Sequence, residues 1–193
     1  HVRGGEGGEN LFLLDNIRLP FPFYFLGQSV INPDMIEKTE VLTGGFSPNY
    51  GNAMSSVFNY STKTGDLEQY HASADFNFLN ASAMVQGPII KNRLSIIAGF
   101  RMSNLSWLLK GMGIDAVMND VNSKITYVIN DKNKINFTFL NVTDKLDFTN
   151  AKNVDVKAKA TDHINAENLQ LQSVWGGKIY SKFSLLQSGI YLK

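Results

Sequence analysis

The stretch YVINDKNKINFTF, residues 127–139, decides the fold. Tyr127 and Ile129 alternate with Thr126 and Val128. After the polar run Asn130, Asp131, Lys132 and Asn133, the residues Ile135, Phe137 and Phe139 alternate with Asn136 and Thr138. Two period-two runs joined by turn-forming residues predict a β-hairpin. Its apolar face must meet either a protein core or the hydrocarbon of a membrane.

Composition narrows the choice. The chain has 193 residues, a formal net charge of +1 and no cysteine. A balanced charge gives no basic footprint for nucleic acid. Without cysteine there is no disulfide framework, thiol chemistry or thiolate zinc site. No apolar run is long enough for a membrane-spanning helix, but barrel strands are only half apolar and escape that test. The chain opens on His1-Val2-Arg3 and stops inside an alternating run, so it is expected to be a piece of a longer protein.

Two regions differ in pattern. Residues 1–65 hold short apolar runs between Gly- and Pro-rich turns, with VINPDMIEK predicting a brief helix capped by Asn32, with Pro33 at its first position. They are expected to form a small α+β unit. From residue 66 to 193 long alternating runs take over: YHASADFNF, NASAMVQG, RLSIIAGFR, the opening hairpin, NLQLQSVW and YSKFSLLQSGIY. These amount to roughly seven strands of membrane-crossing length. Connections at 88–92, 130–133 and 176–178 are short, whereas 102–121 and 145–165 are long; only the link near Leu79-Asn80 breaks the rule. Tight turns alternating with long loops mark an outer-membrane barrel, and a soluble sandwich has no reason to show them. The expected fold is therefore mainly β: a small α+β domain at 1–65, then part of an antiparallel transmembrane β-barrel at 66–193. Phe76, Leu94, Ile96, Phe100, Ile125, Tyr127, Ile135, Phe137 and Leu171 are expected to face lipid. Asp75, Arg93, Arg101, Lys124, Asn136 and Gln170 are expected to face the interior. The alternative is a soluble all-β module, such as a carbohydrate-binding sandwich, whose apolar faces meet in a dry core.

Specific motifs then carry a resemblance. VRGGEGGENLFLLDNI, INPDMIEKTEVLTGG and YGNAMSSVFNYSTK, in this order and spacing, resemble the plug domain of TonB-dependent outer-membrane receptors. VQGPIIKNRLSIIAGFR and SKITYVINDKNKINFTF resemble early barrel strands of the same family. Asn16 stands where the family usually has Gly; Asn is the next-best residue for a left-handed turn. The resemblance implies a barrel of about 22 strands around a plugged lumen, of which this chain holds about a third. It also implies plug-gated, energy-coupled uptake of a siderophore, cobalamin, oligosaccharide or peptide across the outer membrane of a Gram-negative bacterium. The implied partners are membrane lipid, a TonB-type periplasmic protein and the substrate, with a surface lipoprotein left open.

Candidate site residues are few. Arg3 matches a family arginine near the plug surface, close to substrate in some members; its ordinary role is pairing with a plug or wall carboxylate. Phe23, Tyr24 and Phe25, in PFPFYFLG (20–27), match a plug loop rising toward the outer vestibule. Their rings are either a substrate surface or packing beneath the loop. GGEGG at 4–8 lacks the Lys and Ser/Thr of a phosphate loop. His71 and Asp75 share a strand face but lack a third ligand, so no metal is expected. No nucleophile and base, nor any carboxylate pair, can be assembled, so neither an enzyme nor a cofactor is expected.

Overall fold

A computed structural model describes residues 9–45, 47, 50, 51, 54–151 and 157–192. Arg3 and the GGEGG loop lie outside the described residues. The first sheet has the order β2-β1-β4-β3, built from β1 (Asn10–Leu14), β2 (Ile17–Leu19), β3 (Ile36–Leu42) and β4 (Ser56–Thr62). β1 runs parallel to β4, and the other pairs are antiparallel. Asp15 and Asn16 join β1 to β2 with φ of 47° and 75°, so the Asn that replaces glycine adopts the left-handed turn it was expected to allow. The helix expected in VINPDMIEK shrinks to one 3₁₀ turn, Pro33–Met35. Asn32 does cap it, accepting from the Asp34 amide at 3.0 Å. The backbone is already extended at Ile36, because IEKTEVL pairs with β4 and a strand ladder outcompetes a second helical turn.

The second sheet has seven strands, β5 (His71–Phe76), β6 (Asn80–Ile90), β7 (Leu94–Ser103), β8 (Asp115–Asn130), β9 (Asn133–Asp147), β10 (Lys159–Trp175) and β11 (Ile179–Leu192). Each pairs antiparallel with its sequence neighbour, and the sheet is open at both edges among the described residues. The two-sheet crossover of a sandwich is absent from this order, which removes the soluble alternative. Residues 91–93, 131–132 and 176–178 turn the chain at one end. At the other end lie 77–79, then 104–114 with the short helix α1 (Leu105–Leu109), then 148–151 and 157–158. The long loops are shorter than expected, because β8, β9 and β10 extend to 16, 15 and 17 residues. A bilayer needs about 9–11.

The extra length explains a switch of polarity between faces. Near the short turns the outer face is apolar, with the row Ile96, Ile125, Phe137, Leu169 and Leu185 in register. The inner face at that height is polar and buried: Lys124, Thr126, Asn136, Thr138, Asn168 and Gln170. Higher up the pattern inverts. Met118, Leu140, Val142, Ile164 and Ala166 are buried on the inner face. Outside them lie Asn141 with Asn165, and Thr143 with His163, as cross-strand hydrogen-bonded pairs. On β9 and β10 the lower half thus sets an apolar outer face over a polar interior, whereas the upper half sets a polar outer face over apolar residues packed beside the buried Asp120 and Asp144.

Most facing expectations hold: the nine apolar residues lie on the outer face, and Arg101, Lys124, Asn136 and Gln170 are buried inside. Arg93 departs from them, sitting exposed in the turn 91–93 instead of facing the interior. Asp75 shares the inner face through its register with Ser82 and Arg101, but β5 is exposed throughout. The link between the sheets runs beneath the short-turn end, where the Leu67 carbonyl accepts from the Asn92 amide at 3.0 Å. Gly65 passes so close to β7 that a Cβ would lie 2.3 Å from the Ile96 carbonyl oxygen.

Candidate functional site

The first sheet and its loops press on the inner face of the second, and polar clusters hold the seam at two heights. The lower cluster centres on Asp15. Its carboxylate accepts from the Thr62 amide at 3.1 Å, from the Thr62 hydroxyl and from the Thr138 hydroxyl at 3.2 Å. It also pairs with Lys124 Nζ at 3.3 Å, and that ammonium donates to the Thr62 carbonyl at 2.9 Å. The Asp15 carbonyl accepts from the Asn168 amide group and from Gln170 Nε2, the latter at 2.7 Å. One left-handed turn is therefore tied to β4, β8, β9 and β10. Leu14 and Ile17 flank it, fully buried.

The upper cluster belongs to the loop 20–31. The loop closes on itself: the Tyr24 amide donates to the Gln28 carbonyl at 2.8 Å and the Val30 amide to the Pro22 carbonyl at 3.0 Å. A turn follows at once, with the Gly27 amide donating to the Tyr24 carbonyl at 2.8 Å, and the three aromatics separate by burial. Phe23 and Phe25 are 55% and 44% exposed, whereas Tyr24 is 3% exposed. The Tyr24 hydroxyl donates to Asp120 Oδ2 at 2.8 Å, and Asp120 pairs with Arg101 at 2.7 Å. Arg101 Nη2 also donates to the Ser29 carbonyl at 2.5 Å, and its guanidinium lies 5.8 Å from the centre of the Tyr24 ring. Burial first, and then the Asp120 carboxylate, push the Tyr24 phenol further up from its usual range, so it stays un-ionised and donates. The Phe25 amide donates to Asp144 Oδ2 at 2.6 Å.

The three expected aromatics thus divide. Phe23 and Phe25 are exposed, whereas Tyr24 is buried against Arg101 and Asp120. Sequence reasoning placed Arg101, Lys124 and Gln170 on the inner face but gave them no partners. The signal present was the charge itself, since an ionisable side chain midway along a barrel strand asks for a named partner. It also passed over Trp107, 78% exposed on α1, which lines an open cavity of about 480 Å³ with Ser106, Lys110, Gly113, Ile114, Asp115 and Asn150. His71 bonds to Asp66 at 3.0 Å, not to Asp75. Among the described residues, no cluster of three or more His, Asp or Glu could hold a metal ion.

Comparison with known proteins agrees with this architecture. Residues 1–57 match the TonB-dependent Receptor Plug Domain family. The TonB-dependent transporter Oar of Myxococcus xanthus is 20% identical over 162 residues, covering 67% of this chain and 15% of Oar. The siderophore receptor PirA of Acinetobacter baumannii superposes with a TM-score of 0.66 at 18% identity, over 96% of this chain and 32% of PirA. A mutant of the ferric enterobactin receptor PfeA of Pseudomonas aeruginosa gives 0.60 at 14% identity, over 96% of this chain and 34% of PfeA. The chain therefore spans 15% of the curated relative it matches and about a third of the two structures. These relatives are transporters and receptors, not enzymes. Residues 1–57 thus carry a TonB-dependent receptor plug domain, and with its plug-type sheet seated on consecutive antiparallel strands the chain shares the fold of these receptors over 96% of its length.

Proposed function

We propose that the protein carries out plug-gated, energy-coupled uptake of a scarce nutrient across the outer membrane of a Gram-negative bacterium. Residues 1–65 are the plug and 66–193 the first part of the barrel wall. Short turns face the periplasm and long loops face outward. Cargo binds from outside, against Phe23 and Phe25 on the plug loop, with Arg3 as a further candidate contact. A TonB-type periplasmic protein then draws on the plug and opens the lumen. The observation that carries this reading is the loop 20–31, fastened to the upper part of the wall through Asp120 and Asp144 while two of its aromatic rings stay exposed. Rigid rings offer wide contact at small entropy cost.

One structural neighbour is named as a siderophore receptor and another as a ferric enterobactin receptor, so ferric siderophores are the first cargo class to test, with cobalamin, oligosaccharides and peptides as parallel arms. The test is uptake of labelled members of each class by cells making the full-length receptor, with and without a working energy-coupling protein. One class should enter only when coupling is intact. The pair Phe23→Ala and Phe25→Ala should lower its binding while the surface level of receptor stays near wild type. Uptake indifferent to coupling would overturn the transport reading, and a surface level that falls in step with binding would overturn the site.

A further inference from the structure

We infer that Tyr24 is a positioning residue, the anchor through which the buried Arg101–Asp120 pair of the wall sets Phe23 and Phe25 toward the outer opening. The inference rests on the reading of Phe23 and Phe25 as cargo contacts, and it changes the expected role of Tyr24 from contact to support.

Three observations carry it. First, the loop is short and bonded to itself between Pro22 and Val30, so it moves as one piece and one anchor can orient both rings. Second, the anchor is stiff. Asp120 is 1% exposed and accepts from Tyr24, Arg101 and Asn122, the last at 3.1 Å. A buried carboxylate so fully used has no alternative geometry of comparable energy. Third, Arg101 spans the joint, gripping Asp120 with Nε at 2.8 Å and the Ser29 carbonyl with Nη2. A planar guanidinium does this with a fixed fork, whereas a lysine ammonium is a point charge that cannot hold both acceptors in the same geometry. β7 and β8 therefore hold the loop at Tyr24 and Ser29, and β9 adds a third hold through Asp144 and the Phe25 amide. Phe23 and Phe25, on either side of Tyr24 in sequence, are exposed where Tyr24 is buried.

The test follows the loop itself and needs no cargo. The present sequence has no cysteine, so Leu26→Cys offers a site for a nitroxide label on the loop, and Asp131→Cys one on a short turn as control. Both are placed in the full-length receptor in detergent micelles, and label mobility is read by electron paramagnetic resonance. Tyr24→Phe keeps the ring and removes only the hydroxyl. It should shift the loop's release equilibrium by about tenfold or more, as expected for a lost hydrogen bond to a charged acceptor, and mobilise the label at 26. The label at 131 should not respond. Arg101→Lys should mobilise position 26 in the same way despite retaining the charge. An unchanged label at 26 in both variants would overturn the inference. So would equal loosening at 26 and 131, which would mark Tyr24 as a general packing residue. Failure of the Phe23 and Phe25 uptake experiment would leave this result intact and remove only the cargo reading.

Discussion

Replacing Asp15 with asparagine tests how the plug is held to the wall. The substitution keeps size and one acceptor oxygen but removes the charge facing Lys124, whose side chain is about as buried as its partner's. Lys124 is left with the Thr62 carbonyl at 2.9 Å. Removing one member of a buried ion pair costs ~3–5 kcal/mol, because the other charge stays buried without compensation. The Thr62 amide still finds an acceptor, and the Asp15 backbone bonds to Asn168 and Gln170 survive, so the lower end, ~3 kcal/mol, is expected. That corresponds to ~100-fold in the equilibrium for lifting the β1–β2 turn off the wall. Hydrogen exchange of peptides covering residues 10–19 and 56–62, in the full-length receptor in micelles, should quicken by about that factor. Adding Lys124→Met removes the stranded charge and should recover most of the loss, leaving exchange within ~10-fold of wild type. If the single and double variants exchange alike, the pair has no coupling and the cost assigned to the stranded ammonium is wrong.

Other outcomes follow from the same geometry. Phe137→Lys, in the apolar outer row, should cost ~2–4 kcal/mol in folding into lipid bilayers, while Thr143→Lys, outward but above that row, should cost ~0–1 kcal/mol. Equal costs would misplace the edge of the bilayer on β9. Gly113 has φ of 76°, and a Cβ there would sit 1.9 Å from the Asn150 carbonyl oxygen, so Gly113→Ala should separate the two long loops and expose them to protease. Gly111→Ala, with open space around its Cβ, is the control, and matching cleavage of both variants would refute the contact.

Which parts of this protein were legible in its sequence follows from the range of the forces involved. Alternation in YVINDKNKINFTF is imposed by backbone geometry between adjacent residues, so the hairpin, the neighbour-to-neighbour pairing and the apolar outer row could all be read locally. The left-handed turn at Asp15-Asn16 was legible for the same reason. The ends of β7, β8 and β10 were not. Asn119, Asp120 and Asp162 looked like loop residues because both faces of those segments carry polar groups. Only the assembled sheet shows why: above the bilayer the outer face meets water, while the inner face meets the plug and keeps its polar groups paired, as Asn122 with Asp120. The partner of each buried charge was equally out of view. Asp15 meets Lys124 and Thr138, and Tyr24 meets Asp120, across long stretches of chain. A local pattern gives the side of a strand on which a charge lies, but the group opposite is decided by how the plug seats in the wall. Three adjacent aromatics, Phe23, Tyr24 and Phe25, read alike in sequence; burial against Arg101 and Asp120 makes one of them an anchor and leaves two open.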